Sequence, residues 1–134
     1  MCVSVGGRVL VHLANGSVSS EGRVEIRVNG TWGTICDPYF SYNDALVVCR
    51  MLGYATADRP ARPNAFGQGL YPPLFSYVYC RGTEESLLNC SHYSGSCYQN
   101  VSAGVLCSDG ELGCGACVRC VCMCMRVRLC ACDG

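Results

Sequence analysis

Apolar and polar residues alternate strictly through Arg23-Val-Glu-Ile-Arg-Val28. A period of two places Val24, Ile26 and Val28 on one face of a strand and Arg23, Glu25 and Arg27 on the other. The Asn29-Gly30 pair that follows is the strongest two-residue hairpin signal, because both turn positions need positive φ. Thr31-Trp-Gly-Thr-Ile-Cys36 is then the return strand. Gly7-Arg-Val-Leu-Val-His-Leu13 reads as an earlier strand, separated from the hairpin by the turn-rich Asn15-Gly-Ser-Val-Ser-Ser20. Ser41-Tyr-Asn-Asp44 has capping-box spacing, with Asp44 where glutamate is usual. A helix is predicted over residues 43–52, stopping at Gly53, with Ala45, Leu46, Cys49 and Leu52 on one face. Residues 54–73, rich in Pro, Gly and Ala, read as a long loop, a class that is often functional. A strand at 74–80 follows, then a short helix at 83–89 with Thr83 as cap and two acids near its positive end. A last strand is expected at 103–107. Strands around one good helix predict an α+β domain.

Cysteine usage changes the picture. The chain has 134 residues and 14 cysteines, enough to read as a disulfide scaffold. Cys36, Cys49, Cys80, Cys90, Cys97 and Cys107 are spread as a framework would be. Cys114, Cys117, Cys120, Cys122, Cys124, Cys130 and Cys132 crowd the end, and Cys2 stands alone. The domain is therefore expected at 5–109, with 110–134 a separate cysteine-rich tail. The tail's close spacings resemble thiolate metal clusters suited to Zn or Cu(I). Its Val-Cys-Met-Cys-Met and Leu-Cys-Ala-Cys runs read like translated dinucleotide repeats, so it is expected to be disordered or a gene-model read-through. Spacing alone leaves the pairing of the six framework cysteines open.

Charge adds little. Ten arginines balance ten acids, so net charge points to neither nucleic acid nor polyanion. No run approaches the roughly 20 apolar residues of a membrane span. Val9-Leu-Val-His-Leu13 is too short and interrupted for a secretory leader. A disulfide scaffold without a leader is expected to be one piece of a longer secreted or membrane protein. Four N-glycosylation sequons, at Asn15, Asn29, Asn89 and Asn100, agree with an extracellular setting. Asn29 falls at the hairpin tip, where a glycan would not disturb the core.

Several blocks together resemble the scavenger receptor cysteine-rich family. They are Gly22-Arg-Val-Glu-Ile26, Gly30-Thr-Trp-Gly-Thr-Ile-Cys-Asp37, Asn43-Asp-Ala-Leu-Val-Val-Cys-Arg-Met-Leu-Gly53, Ala65-Phe-Gly-Gln-Gly69, Cys80-Arg-Gly-Thr-Glu-Glu-Ser-Leu-Leu-Asn-Cys90 and Ala103-Gly-Val-Leu-Cys107. The resemblance covers about residues 7–109 and matches the six-cysteine group A. It implies the pairs Cys36–Cys97, Cys49–Cys107 and Cys80–Cys90. It implies a curved antiparallel sheet cradling one α-helix, with a short second helix. It implies extracellular recognition of proteins, polyanions, glycans or microbial surfaces, of the innate-immune or adhesive kind, with no catalysis and no cofactor.

Some family members hold calcium in an acidic cluster. Only Asp37 of that cluster is present. Pro38 and Val101 occupy the other positions, so no metal site is expected, since calcium needs six to eight oxygens. Arg23, Glu25 and Arg27 are the candidate ligand-binding strip, with Arg59, Arg62 and Arg81 as outlying additions. Trp32 is expected in the core. His12 and His92 belong to no catalytic motif, and no catalytic residue is assigned. The expected function is a recognition module of a larger protein. The alternative is an accessory domain of an extracellular enzyme, such as a serine protease or a lysyl-oxidase-like amine oxidase.

Overall fold

The strictly alternating segment forms the strand on which the others assemble. The structure, a computed structural model, describes residues 9–94, 97 and 100–109. The tail at 110–134 and Cys2 lie outside the described residues. Strand β2, Glu21–Val28, pairs antiparallel with β1, Val9–Ala14, along one whole edge. Its other edge is shared. Residues 25–28 pair with β3, Thr31–Ile35, and residues 21–23 pair with β8, Gly104–Ser108. Where β3 and β8 diverge, Ala103 bridges them: its N–H donates to Ile35 O and its carbonyl accepts from Val24 N, both at 2.9 Å. Strand β4, Thr56–Pro60, extends the sheet beside β8, and β5, Pro73–Phe75, extends it beside β3. Among the described residues this is a six-stranded sheet, and a separate two-stranded ribbon joins β6, Val78–Tyr79, to β7, Ser91–His92.

The local sequence explains the turns. Asn29 and Gly30 have φ of 51° and 89°, the two positive values of a type I′ hairpin. Helix α1, Tyr42–Met51, starts at Ser41, whose hydroxyl accepts from Asp44 N while Asp44 accepts from Ser41 N. It ends in a Schellman arrangement: Gly53, at φ 98°, donates to Arg50 O and Tyr54 N donates to Cys49 O. Its buried stripe is broader than the expected one. Asp44, Ala45, Val47, Val48 and Cys49 are buried, while Leu46 and Leu52 are only partly so. The helix packs against β4 and β8 on one side and touches β6 on another, so two flanks need apolar cover.

The α+β architecture holds, with four refinements. The sheet is mixed, because β3 and β5 run parallel. The expected loop at 54–73 contains β4, which leaves a true loop only over 61–72. The expected strand at 74–80 is split into β5 and β6, because Tyr77 takes φ 96° and turns the chain off the main sheet. The expected helix at 83–89 shrinks to a 3-10 turn, Leu87–Asn89, capped by Ser86 rather than Thr83. Glu84 instead folds back to accept from Arg81 N and Gly82 N.

Three disulfides cross this frame: Cys36–Cys97, Cys49–Cys107 and Cys80–Cys90. Cys49–Cys107 ties the centre of α1 to β8, closes a sequence separation of 58 residues and is fully packed at Cys49. In the chain-entropy picture such a loop contributes about 2–4 kcal/mol. Cys49→Ser is expected to lower the melting temperature by about 10 °C or more, or to stop secretion. Normal secretion with an unchanged melt would contradict this.

Candidate recognition surface

The residues that face away from α1 are Leu10 and His12 on β1, Arg23, Glu25 and Arg27 on β2, and Trp32 and Thr34 on β3. Register sets them in rows: Leu10 beside Arg27 beside Trp32, and His12 beside Glu25 beside Thr34. The loop at 61–72 crosses this face as a strap. Arg23 Nη1 donates to Phe66 O at 2.8 Å, and Asn15 Nδ2 donates to the same carbonyl at 3.0 Å. Asn64 exchanges bonds with Ser102, Ser102 Oγ donates to Gln68 O, and Thr34 N donates to Pro72 O. Within the strap Gly69 takes φ 74°, a conformation that favours glycine, and a Cβ there would stand 2.6 Å from Arg23 Nε.

The strap overturns the expected strip of Arg23, Glu25 and Arg27. Glu25 is only 5% exposed. Its Oε1 accepts from His12 Nε2 at 2.7 Å, and its Oε2 takes Arg23 Nε and Nη2, each at 3.0 Å. A carboxylate removed from water must be paired, and this one is fully occupied by the chain itself. Arg23 holds the strap rather than a ligand. Arg27 alone of the three is exposed, and its side chain makes no hydrogen bond or ion pair with the described residues.

Trp32 is also displaced from its expected place. It is half-buried on the outer face, between the His12 ring at 4.4 Å and the Tyr71 ring at 6.1 Å. The strap then lifts Leu70, 98% exposed, beside Tyr71, 41% exposed. Leu10, Arg27, Trp32, Leu70 and Tyr71 thus offer an apolar and aromatic surface carrying one cation that is unpaired among the described residues. Sequence reasoning missed Leu70 and Tyr71, and their only signal was their place in a long loop. A cavity of about 260 Å³ lies beside them, lined by Gln68, Leu70, Tyr71, Asn100 and Ser102 among others. Among the described residues its lining carries no carboxylate, histidine, lysine or arginine.

The other candidates are placed elsewhere. Arg59 pairs with Asp58 on β4, while Arg62 and Arg81 are exposed on separate segments. His92 bonds Cys90 O and stacks on Phe75, which gives it a packing role. The four sequon asparagines, Asn15, Asn29, Asn89 and Asn100, are all exposed.

Asp37 is 2% exposed, and each of its oxygens meets a backbone amide: Oδ1 accepts from Tyr39 N and Oδ2 from Val78 N. Asp44 likewise accepts from Cys80 N. The two carboxylates together anchor the β6 ribbon to the start of α1. Burial pushes both pKa values above the ordinary aspartate value of 3.8, against the pull of those amide bonds.

Comparison with known proteins places this frame. A family model described as "Scavenger receptor cysteine-rich domain" matches residues 14–108. Galectin-3-binding protein of Rattus norvegicus is 44% identical over 106 residues, which are 77% of this chain and 18% of that protein. Lysyl oxidase homolog 2 of Mus musculus is 42% identical over 106 residues, 78% of this chain and 14% of that protein. This chain therefore spans less than a fifth of the curated relatives it matches. The third SRCR domain of murine neurotrypsin superposes with a TM-score of 0.67 at 39% identity, covering 75% of this chain and 96% of that one. The SRCR domain of mouse MARCO in its dimeric form gives 0.58 at 39% identity, covering 79% and 94%.

Two measurements test the buried groups. Glu25→Ala strands Arg23 under the strap and is expected to cost about 3 kcal/mol of stability, whereas Arg27→Ala changes it by about 0.5 kcal/mol or less. Equal melting of the two variants would contradict the network. For Asp37, a raised folded pKa means that, as pH climbs past 3.8, the unfolded chain sheds its proton first. Stability contributed by this group is therefore present below that value and lost as pH rises through the folded pKa. Melting curves from about pH 3 to pH 7 should show the parent losing ground to Asp37→Asn. A pH-independent difference would count against the burial effect.

Proposed function

The chain belongs to the scavenger receptor cysteine-rich family, and on that footing we propose that it is an extracellular recognition module of a larger secreted or membrane protein. The domain itself is a non-catalytic module. Its surface for protein or polyanionic ligands is the outer sheet face with Leu10, Arg27, Trp32, Leu70 and Tyr71. One observation carries this reading: an exposed, unpaired Arg27 lies between Leu10 and Trp32 on adjacent strands. Arginine with tryptophan and tyrosine is the composition that dominates binding energy at interfaces. Guanidinium supplies a fork for carboxylate or sulfate, and the rings supply area at low entropic cost.

Recognition is calcium-independent in this reading. The Asp37 oxygens already serve backbone amides, and neither Pro38 nor Val101 offers a carboxylate. In this reading the domain spans 5–109, with the sequons on its surface as glycan acceptors.

A second reading is favoured by the match to lysyl oxidase homolog 2, of which the aligned part is 14%. In that reading the module is an accessory to an enzyme whose catalytic domain lies elsewhere in the polypeptide. The sequence of the flanking domains separates the two readings, and both use the same surface.

Binding of the secreted protein to immobilised dextran sulfate, acidic proteins and bacterial cells tests the surface. Arg27→Glu and Trp32→Ala are each expected to reduce capture by about tenfold or more, and chelation of calcium is expected to leave it unchanged. Capture that needs calcium, or that ignores both substitutions, would overturn the proposal.

A further inference from the structure

The four sequons differ in what surrounds them. Asn15 has its side-chain amide bonded to the strap at Phe66 O. Asn89 closes the 3-10 turn and is followed by Cys90, which is bonded to Cys80. Asn100 borders the cavity, and its carbonyl accepts from Gln68 and Asn64. Asn29 stands free at the turn between β2 and β3. Its side chain makes no hydrogen bond with the described residues, and nothing lies within 4 Å of the place where a Cβ on Gly30 would stand. A bulky group on the Asn29 amide meets open solvent.

Register brings this tip to the recognition surface. Val28 pairs with Thr31, and the next rung is Arg27 with Trp32. Asn29 is two residues along the chain from Arg27, so the tip stands within roughly 7 Å of the Arg27–Trp32 rung. An N-linked core oligosaccharide is larger than that gap. We infer that Asn29 carries an N-linked glycan whose first sugars overhang Arg27 and Trp32, so that the modified hairpin tip limits which ligands reach the surface. Transfer joins the sugar's anomeric carbon to Asn29 Nδ2 and breaks its bond to a polyisoprenyl pyrophosphate donor. The pyrophosphate departs, and Nδ2 gives up one proton. A slender acidic strand passes beside the glycan to Arg27, while a broad, flat partner is turned away. This gate rests on the reading of the outer face as the recognition surface.

Trp32 is the single tryptophan of the chain, so its fluorescence reports on that face with no ligand present. The protein secreted by a glycosylating host is digested for mass analysis of the Asn29 peptide. Trp32 quenching by the neutral quencher succinimide is then measured before and after enzymatic deglycosylation, and in Asn29→Gln. The Asn29 peptide is expected to carry glycan, and the quenching constant is expected to rise about twofold once this bulky group is gone. A bare Asn29 in the secreted protein, or equal quenching with and without glycan, overturns the inference. Should Asn29→Gln fold poorly, the deglycosylated parent still gives the comparison. Quenching that responds while Arg27→Glu leaves dextran sulfate capture intact removes the recognition reading and keeps the glycan.

Discussion

Strand β2 must satisfy both of its hydrogen-bonding edges and bury both of its faces, and most of the molecule follows from how it does so. One edge is taken by β1 and the other is divided between β3 and β8. Two strands sharing one edge cannot stay side by side, so they diverge and the sheet curls, with Ala103 closing the gap. The inner face, Val24 and Ile26, is completely buried in the cluster with Val47, Val48, Cys49 and Val105. The outer face holds charges, and there the strap provides the cover.

Buried carboxylates organise what the sheet leaves loose. Glu25 draws His12 and Arg23 together, and Arg23 in turn holds Phe66. Asp37 and Asp44 reach the backbone of the β6 segment at Val78 and Cys80, the stretch that Tyr77 has turned away from the main sheet. Each acid lies in a segment that resembles a family motif, and each acts as a strut between elements far apart in sequence. A buried acceptor left unpaired is costly, so such struts define one arrangement of the loops rather than a set of near equivalents.

The surface proposed for recognition is a by-product of that bracing. Because Glu25 and Arg23 are consumed beneath the strap, Arg27 is the residue of β2 left to meet a ligand. Because the strap is pinned at Arg23, Asn64 and Ser102, Leu70 and Tyr71 are held out beside Trp32 rather than folded into the core. Rigid aromatic area next to an exposed guanidinium suits binding.

Local features were legible in the sequence because their causes are local. The alternation at 23–28, the Asn29-Gly30 turn, the Ser41–Asp44 capping box and the Gly53 stop depend on neighbours a few residues away, and all four stand in the structure. The family motifs extended that reach to the α+β architecture. Elements set by distant partners were not legible. Strand β4 forms because β8 offers an edge, the 74–80 strand breaks at Tyr77, and the 83–89 helix shortens as Glu84 turns back. The exposure of Arg23, Glu25 and Arg27 was undecidable for the same reason. A period of two assigns residues to a face, but whether that face meets water depends on a strap some 43 residues away, which only the folded chain brings across it.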